Sequence, residues 1–161
     1  MSDTAAPDAH RTRQQWLNEL ARARREDLAE LASPVLTHHA FEPLRAPEAG
    51  LVMLRARIGN TGDRFNLGEA TVTRCVLRLR WGDRTVAGVG MVLGRDAERA
   101  QWVAGLDALL QLEACHGDVM QRVIAPLAQR RRAHTAAEAA RTDTSRVQFY
   151  TLQPEATEST P

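Results

Sequence analysis

The stretch from Thr71 to Leu93 limits the possible folds more than any other part of the chain, because it has the pattern of a long β-hairpin. In its first half, apolar and charged side chains alternate with the period of two that a half-buried strand requires. The apolar face holds Cys75, Leu77 and Leu79, and the charged face holds Arg74, Arg78 and Arg80. Gly82 and Asp83 then predict a tight turn. The second half, from Val86, is apolar on both faces, which predicts a central strand.

Two further strands are predicted before this hairpin. The segment from Leu51 to Ile58 alternates in the same way and would bury Val52, Leu54, Ala56 and Ile58. A cluster of turn-forming residues, Gly59 to Asp63, follows it. The polar–apolar stretch from Val35 to Leu44 predicts another short strand, ended by Pro43 and Pro47.

Helical patterns lie on both sides of the predicted strands. Thr12 is a candidate N-cap for a first helix to about Arg24, and the pattern continues until Ser33 and Pro34 stop it. Asp96 is a candidate N-cap for a second helix, which Gly117 ends near Cys115. That helix has a stripe formed by Ala100, Val103, Leu106 and Leu110.

The C-terminal third predicts two more helices and a strand. Asp118 caps a short helix to Ile124, and Pro126 starts a longer one that ends near Arg141. This last helix has little apolar stripe, so it is either solvated or covered by another protein. Residues 145–152 predict a final strand.

These elements together predict an α+β fold with one antiparallel sheet, a long central hairpin, and N-terminal and C-terminal helices packed on a face. A length of 161 residues suggests a single domain. We predict a disordered lead-in at residues 1–11, a folded domain at 12–152 and a disordered tail at 153–161.

Composition excludes several function classes. Lys and Arg together number 21, against 20 acidic residues, and every one of the 21 is an arginine. Without lysine there is no Schiff base, no pyridoxal-phosphate anchor and no P-loop lysine. A net charge of +1 argues against nucleic acid as a partner. The polar N-terminus shows no secretory signal and no apolar run is long enough to span a membrane, so we expect a cytoplasmic protein.

The residues alone predict neither a catalytic constellation nor a metal site. His38 and His39 are adjacent on a predicted strand, so their side chains leave opposite faces and cannot bind one metal. Cys115 and His116 lack a third ligand at a recognisable spacing. Cys75 on the inward strand face is favoured as a small core residue rather than a nucleophile.

Arginines and glycines provide the candidate binding residues. Backbone N–H groups between Gly59 and Gly62 could bind an anion beside Arg57 and Arg64, although a simple strand-connecting turn is favoured. Outward arginines on the sheet could line a phosphate or phosphonate groove, or form a solvated face paired with acids such as Asp83. This set comprises Arg55, Arg57, Arg74, Arg78 and Arg80. The run Arg130, Arg131 and Arg132 is predicted to be a solvated helix face.

Five segments, in order and spacing, resemble the PhnG subunit of the bacterial carbon–phosphorus lyase core complex. They are Arg57-Ile58-Gly59-Asn60-Thr61-Gly62-Asp63-Arg64-Phe65, Gly68-Glu69-Ala70-Thr71-Val72-Thr73-Arg74, Val92-Leu93-Gly94-Arg95-Asp96, Ile124-Ala125-Pro126-Leu127 and Ser145-Arg146-Val147-Gln148-Phe149-Tyr150-Thr151. Each segment alone is weakly specific, but five in register are specific. The resemblance runs from about Trp16 to Leu152.

The resemblance implies a small subunit bound directly to a PhnI-type subunit, in a larger assembly with PhnH and PhnJ. With PhnI, PhnH and PhnL, such proteins take part in replacing the adenine of ATP by an alkylphosphonate, giving α-D-ribose 1-methylphosphonate 5-triphosphate. The resemblance also implies that PhnI, rather than this subunit, carries the nucleosidase chemistry. The resemblance therefore gives no catalytic residue for this subunit, and we expect it to hold no cofactor and, from the ligand spacing above, no metal.

Two contributions to that reaction remain open for this chain. It could supply an arginine to the anionic substrates, or it could hold the catalytic subunit in shape, and scaffolding is favoured. Candidate partner or anion contacts are Arg57, Gly59, Gly62, Arg64, Arg74 and Arg95. A stand-alone module that binds a phosphorylated small molecule through the Gly59–Arg64 loop is the alternative, and an independent enzyme is the weakest reading.

Overall fold

The computed structural model describes residues 6–59 and 61–143, and in them an antiparallel sheet carries helices from both ends of the chain. This arrangement confirms the predicted α+β class and the long hairpin. The elements, in chain order, are α1 (Ala6–Arg22), α2 (Arg25–Leu36), β1 (Phe41–Arg57), β2 (Arg64–Trp81), β3 (Arg84–Leu93), α3 (Ala97–Leu110), α4 (Glu113–Val119), a π-helical turn (Met120–Ile124) and α5 (Ala125–Asp143).

The central strand of the sheet is β2, with β1 and β3 antiparallel on either side of it. Among the described strands β3 lies at an edge, so the prediction that Val86 to Leu93 forms the central strand is wrong for this part of the chain, although the hairpin that contains it is confirmed. Along β3 the inward Gly88, Gly90 and Val92 are buried, whereas the outward Val89, Met91 and Leu93 are exposed. The outward face of β3 is thus apolar, and no described residue covers that face.

Small residues bring α3 into direct contact with β3. A Cβ atom at Gly88 would lie 1.9 Å from the carbonyl oxygen of Ala104, and one at Gly90 would lie 1.9 Å from that of Ala100. Ala100, Ala104 and Ala108 recur every four residues and so form one stripe of α3. The helix backbone therefore rests on the strand backbone, which only glycine on β3 permits.

The core lies between the sheet and the helices. As predicted, Cys75, Leu77 and Leu79 of β2 are buried, and so are Ala100, Val103, Leu106 and Leu110 of α3. Asp96 caps α3 as predicted, because its side chain accepts a hydrogen bond from the N–H of Arg99. The helices α1 and α2 add Trp16, Leu20 and Leu28 to the same core. No helix in residues 6–59 or 61–143 is both long and apolar enough to cross a bilayer.

The N-terminal boundaries differ from the predictions. Because α1 begins at Ala6, Thr12 is not its cap and residues 6–11, predicted to be disordered, are helical. Pro7 is tolerated there because the N–H groups of a first turn have no helical partner. Pro34 lies inside α2 and does not end it as predicted. The helix continues to Leu36, and the Thr37 N–H then donates to the Ser33 carbonyl. His38 and His39 consequently lie in a turn rather than on a strand.

The strand β1 is longer than predicted and passes through Pro43 and Pro47. It is an edge strand, where proline does not interrupt the ladder as it would in the centre, and register shifts flank both prolines. Burial also differs from the prediction, since Leu54 and Ile58 are exposed.

The C-terminal boundaries shift as well. The helix α3 ends at Leu110, and Gly117 and Asp118 lie inside α4 instead of ending one helix and capping the next. Glycine destabilises the interior of a helix, but the packing of the buried Val119 and Val123 outweighs this cost. Pro126 lies in the first turn of α5 as predicted. The predicted strand at residues 145–152 and the predicted tail lie outside the described residues.

Half of the β1–β2 hairpin extends past β3. The strand β3 pairs with β2 only from Val72 to Trp81, so residues 64–71 of β2 pair with β1 alone. We call this two-stranded extension, residues 51–57 of β1 and 64–71 of β2, the arm. At roughly 3.3 Å per residue, the arm is about 23 Å long.

Candidate functional site

The tip of the arm holds four of the predicted site residues: Arg57, Gly59, Gly62 and Arg64. The turn is closed by the Gly62 N–H, which donates to the Ile58 carbonyl at 2.9 Å, and by the Ile58 N–H, which donates to the Asp63 carbonyl at 3.4 Å. A Cβ atom at Gly62 would lie 2.2 Å from the Ile58 oxygen. Gly62 is thus required for the turn to close, and its N–H is already used.

Two arginines lie opposite each other in the strand pairing at the arm tip. Arg57 and Arg64 are direct cross-strand partners, and Arg55 pairs with Asn66 just below them. The Nη1 atom of Arg57 lies 3.4 Å from the Gly62 carbonyl oxygen. In the described part of the chain no carboxylate forms an ion pair with Arg57 or Arg64. The tip holds two arginines, Arg57 and Arg64, against one carboxylate, Asp63, so its net charge is positive.

Arg74 is placed differently, on the outward face of the sheet, where a glutamate neutralises it. Its Nε donates to Glu48 Oε1 at 2.8 Å, and Arg78 makes a two-bond contact with Glu42 on the same face. The Arg78 guanidinium lowers the pKa of the Glu42 carboxyl. The predicted acidic partner, Asp83, is not among these contacts.

Arg95 lies at the base of the arm, exposed in the turn between β3 and α3. This turn is fixed to β2, since the Gly94 N–H donates to the Thr71 carbonyl at 2.9 Å. The Thr73 hydroxyl donates to the Gly94 carbonyl at 2.7 Å and accepts from the Asp96 N–H at 3.0 Å. The structure thus brings four candidates together at the tip and places Arg74 and Arg95 elsewhere.

Two arginines of the predicted solvated run are engaged in the fold. Arg130 donates to Asp27 at 2.7 Å and to Glu30 at 2.9 Å, joining α5 to α2. Arg131 makes a two-bond contact with Glu19 of α1. The prediction of a solvated face is therefore wrong for these two residues, while Arg132 is exposed.

Asp107, which the sequence reasoning did not single out, is a completely buried carboxylate. It accepts hydrogen bonds from Arg13 at 2.6 and 3.1 Å, from the Trp16 indole at 2.9 Å and from the Val89 N–H at 2.9 Å. A lone acid within the apolar run Val103–Leu110 is the signal that could have identified it. Its contacts are with the chain's own groups, so it stabilises the junction of three elements.

The cysteines lie in apolar surroundings. Burial raises the pKa of the Cys75 thiol to about 11 and also raises the pKa of Cys115. A raised pKa disfavours the thiolate, which is the nucleophilic form. In the described ranges, no three His, Cys, Asp or Glu side chains are grouped so as to hold a metal ion.

A pocket of about 240 Å³ lies between the α1–α2 corner and α5. Its lining is mixed in charge, because Arg22, Arg24 and Arg131 line it together with Asp27, and Arg131 is held by Glu19. None of the predicted site residues lines this pocket.

The chain is similar to known proteins at the level of a family model and of a single relative. A family model described as phosphonate metabolism protein PhnG matches residues 11–153. The chain is also similar to a protein of Rhizobium meliloti (strain 1021) named alpha-D-ribose 1-methylphosphonate 5-triphosphate synthase subunit PhnG. The two are 39% identical over 140 residues, which is 87% of each chain. The candidate residues from Arg57 to Arg95 all lie inside the region matched by the family model.

Proposed function

This chain belongs to the PhnG family of phosphonate metabolism proteins, and we propose that it is an accessory subunit of a hetero-oligomeric, cytoplasmic enzyme that makes ribose 1-methylphosphonate 5-triphosphate. The observation that carries the proposal is the match to the Rhizobium meliloti synthase subunit over 87% of both chains. A match of that extent includes the helices, the sheet and the arm together.

The partner that we propose is a PhnI-type subunit, with PhnH and PhnJ in the larger assembly and PhnL acting with it. The reaction replaces the adenine of ATP by an alkylphosphonate, so ATP and the phosphonate are substrates and this subunit holds no cofactor. A phosphonate dianion must approach a nucleotide that already carries a triphosphate. Fixed positive charge reduces that repulsion, and arginine supplies it without titrating.

We assign this chain a scaffolding role rather than a catalytic one. Its buried carboxylate, Asp107, is saturated by Arg13, Trp16 and the Val89 N–H. Burial holds the Cys75 thiol in its protonated form. Arg57, Arg64 and Arg95 are exposed at the tip and base of the arm, and this exposure supports a role for them in contacting a partner subunit.

A stand-alone module that binds a phosphorylated molecule through the Gly59–Arg64 loop has less support. Such a site needs backbone N–H groups that point outward to the anion. The Gly62 N–H instead closes the turn on Ile58. Isothermal titration of the isolated chain with ATP and with methylphosphonate separates this alternative, which requires binding without any partner.

Co-expression tests the proposed role. We expect the chain to elute with a tagged PhnI-type subunit of the same organism in affinity purification and gel filtration. The matched control is an unrelated protein carrying the same tag. Elution of the chain as a folded monomer, with none on the tagged subunit, contradicts the proposal.

A further inference from the structure

We propose that the arm is the docking element of this subunit, and that it inserts into an apolar groove of the partner subunit whose rim carries carboxylates facing Arg57 and Arg64. For the identity of the partner, this inference rests on the proposed function. The arm itself is assigned from its strand pairing, its exposed side chains and its charge.

Among the described strands, none but β1 and β2 takes part in the arm. Residues 64–71 of β2 pair only with β1, because β3 begins to pair at Val72. A two-stranded ribbon alone in water is at best marginally stable, and it gains stability by packing an apolar face on another layer. The arm must therefore find that layer outside the described residues.

Within the arm, residues 51–54 of β1 are apolar on both faces. Residues 51–54 read Leu-Val-Met-Leu, and successive side chains of a strand point to opposite faces. Leu51 on one face is 64% exposed, and Leu54 on the other is 41% exposed. A strand that is apolar on both faces is typical of burial from both sides. This pattern fits a groove rather than a flat surface.

The apolar surface continues from the arm onto the sheet. On the outward face, Val52 and Leu54 lead to Met91 and Leu93 of β3, because Val72 pairs with Leu93 at the base of the arm. Leu93 is 66% exposed. Extended exposed apolar surfaces of this kind mark protein–protein interfaces.

The positive charge at the arm tip indicates which side chains the rim of the partner's groove must carry. Like charges directly opposite each other on paired strands destabilise the pair, and Arg57 faces Arg64. Carboxylates of a partner at this point would relieve the repulsion and form charge-assisted hydrogen bonds. A second copy of the chain fits poorly, since pairing two arms tip to tip would bring four arginines together.

Two apolar variants with a matched control test the docking. We expect Leu51→Asp and Leu54→Asp each to weaken binding to the PhnI-type subunit at least tenfold. Leu44→Asp is the control, because Leu44 lies on the same strand outside the arm and is 52% exposed. It should change the Kd less than twofold. All three sites are exposed, so thermal unfolding of the isolated variants should match that of the unsubstituted chain.

A charge-reversal pair tests the carboxylate rim. Arg57→Glu with Arg64→Glu should also weaken binding at least tenfold, whereas Arg84→Glu should not. Arg84 is the matched control since it is an exposed arginine beside the other hairpin turn of the same sheet. If the doubly reversed variant binds normally but the assembled enzyme releases less adenine, the arginines contact an anionic substrate and the carboxylate rim is wrong.

The outcomes separate this inference from the proposed function. If the unsubstituted chain does not bind the PhnI-type subunit, the proposed function fails and the docking inference fails with it. If it binds, and the two arm variants bind as tightly as the control, the docking inference alone is overturned.

Discussion

At the scale of single residues, the charges of this molecule divide between those that build the fold and those that lie free on its surface. Asp107 joins α1, α3 and β3 through Arg13, Trp16 and the Val89 N–H. Arg57 and Arg64 have no carboxylate partner in the described residues. The sequence could not separate these two groups, because ion pairs such as Arg13–Asp107 join residues far apart in the chain.

Replacing Asp107 by Ala should destabilise the fold strongly. The buried Trp16 indole and the Val89 N–H would each lose their acceptor, and an unsatisfied buried donor costs about 1–3 kcal/mol. We therefore expect the free energy of unfolding to fall by at least about 2 kcal/mol in urea denaturation. The control is Asp118→Ala, an exposed acid on α4. Equal stability of both variants would show that the Asp107 contacts contribute little.

Replacing Gly90 by Ala should also destabilise the fold, through backbone contact rather than charge. The new Cβ would lie 1.9 Å from the Ala100 carbonyl oxygen, so α3 must move away from β3. Overpacking of this kind costs about 1–3 kcal/mol. The matched control is Gly50→Ala, where no atom lies within 4 Å of the added carbon. A thermal unfolding midpoint for Gly90→Ala as high as that of the control would contradict the close contact.

At the scale of elements, the local sequence pattern predicted which helices and strands form, whereas tertiary contacts determined where each of them ends. The alternation of Cys75, Leu77 and Leu79 and the turn at Gly82 are local signals, so the hairpin was predictable. The order of the strands was not, because an apolar outward face on β3 signals either a central strand or an interface. Here it is an exposed edge.

The candidate site shows the same division. The turn at Gly59–Gly62 was readable from its glycines, and the outward arginines from their alternation. Their partners were not readable, since Glu48 and Glu42 reach Arg74 and Arg78 only through the pairing register of β1 with β2. The length of the arm depends on where β3 stops pairing, which no local pattern records.

Attachment of α5 should depend on pH through Arg130. This guanidinium lowers the pKa of Glu30, so the pair stabilises the fold above the ordinary pKa of glutamate, about 4.3. That contribution is lost as the pH falls through the lower pKa of the folded state. We expect Arg130→Gln to lower the thermal midpoint at pH 7, and we expect this deficit to shrink as the pH is lowered below the ordinary pKa of glutamate.

The control for this prediction is Arg132→Gln, on the same helix. Arg132 is exposed, and the described residues give it no ion pair, so its replacement should leave the midpoint unchanged at either pH. A deficit of Arg130→Gln that stays constant from pH 7 to pH 3 would contradict the role of the Glu30 pair.

At the scale of the whole molecule, the buried carboxylate is fully paired, whereas part of the apolar surface is exposed. The core carboxylate and the helix-joining arginines are paired within the chain. The apolar side chains of the arm and of the outward face of β3 lack cover among the described residues. A subunit that stabilises a catalytic partner needs this combination, because its own fold must persist while one surface remains available for assembly.

The most direct test of this account is adenine release from ATP in the presence of methylphosphonate, measured with purified subunits. We predict none from this chain alone, release from the complete set with PhnI, PhnH and PhnL, and loss of that release when this chain is left out. Adenine release by the chain alone that persists through further purification would contradict the account. Undiminished release by the other subunits without this chain would contradict it equally.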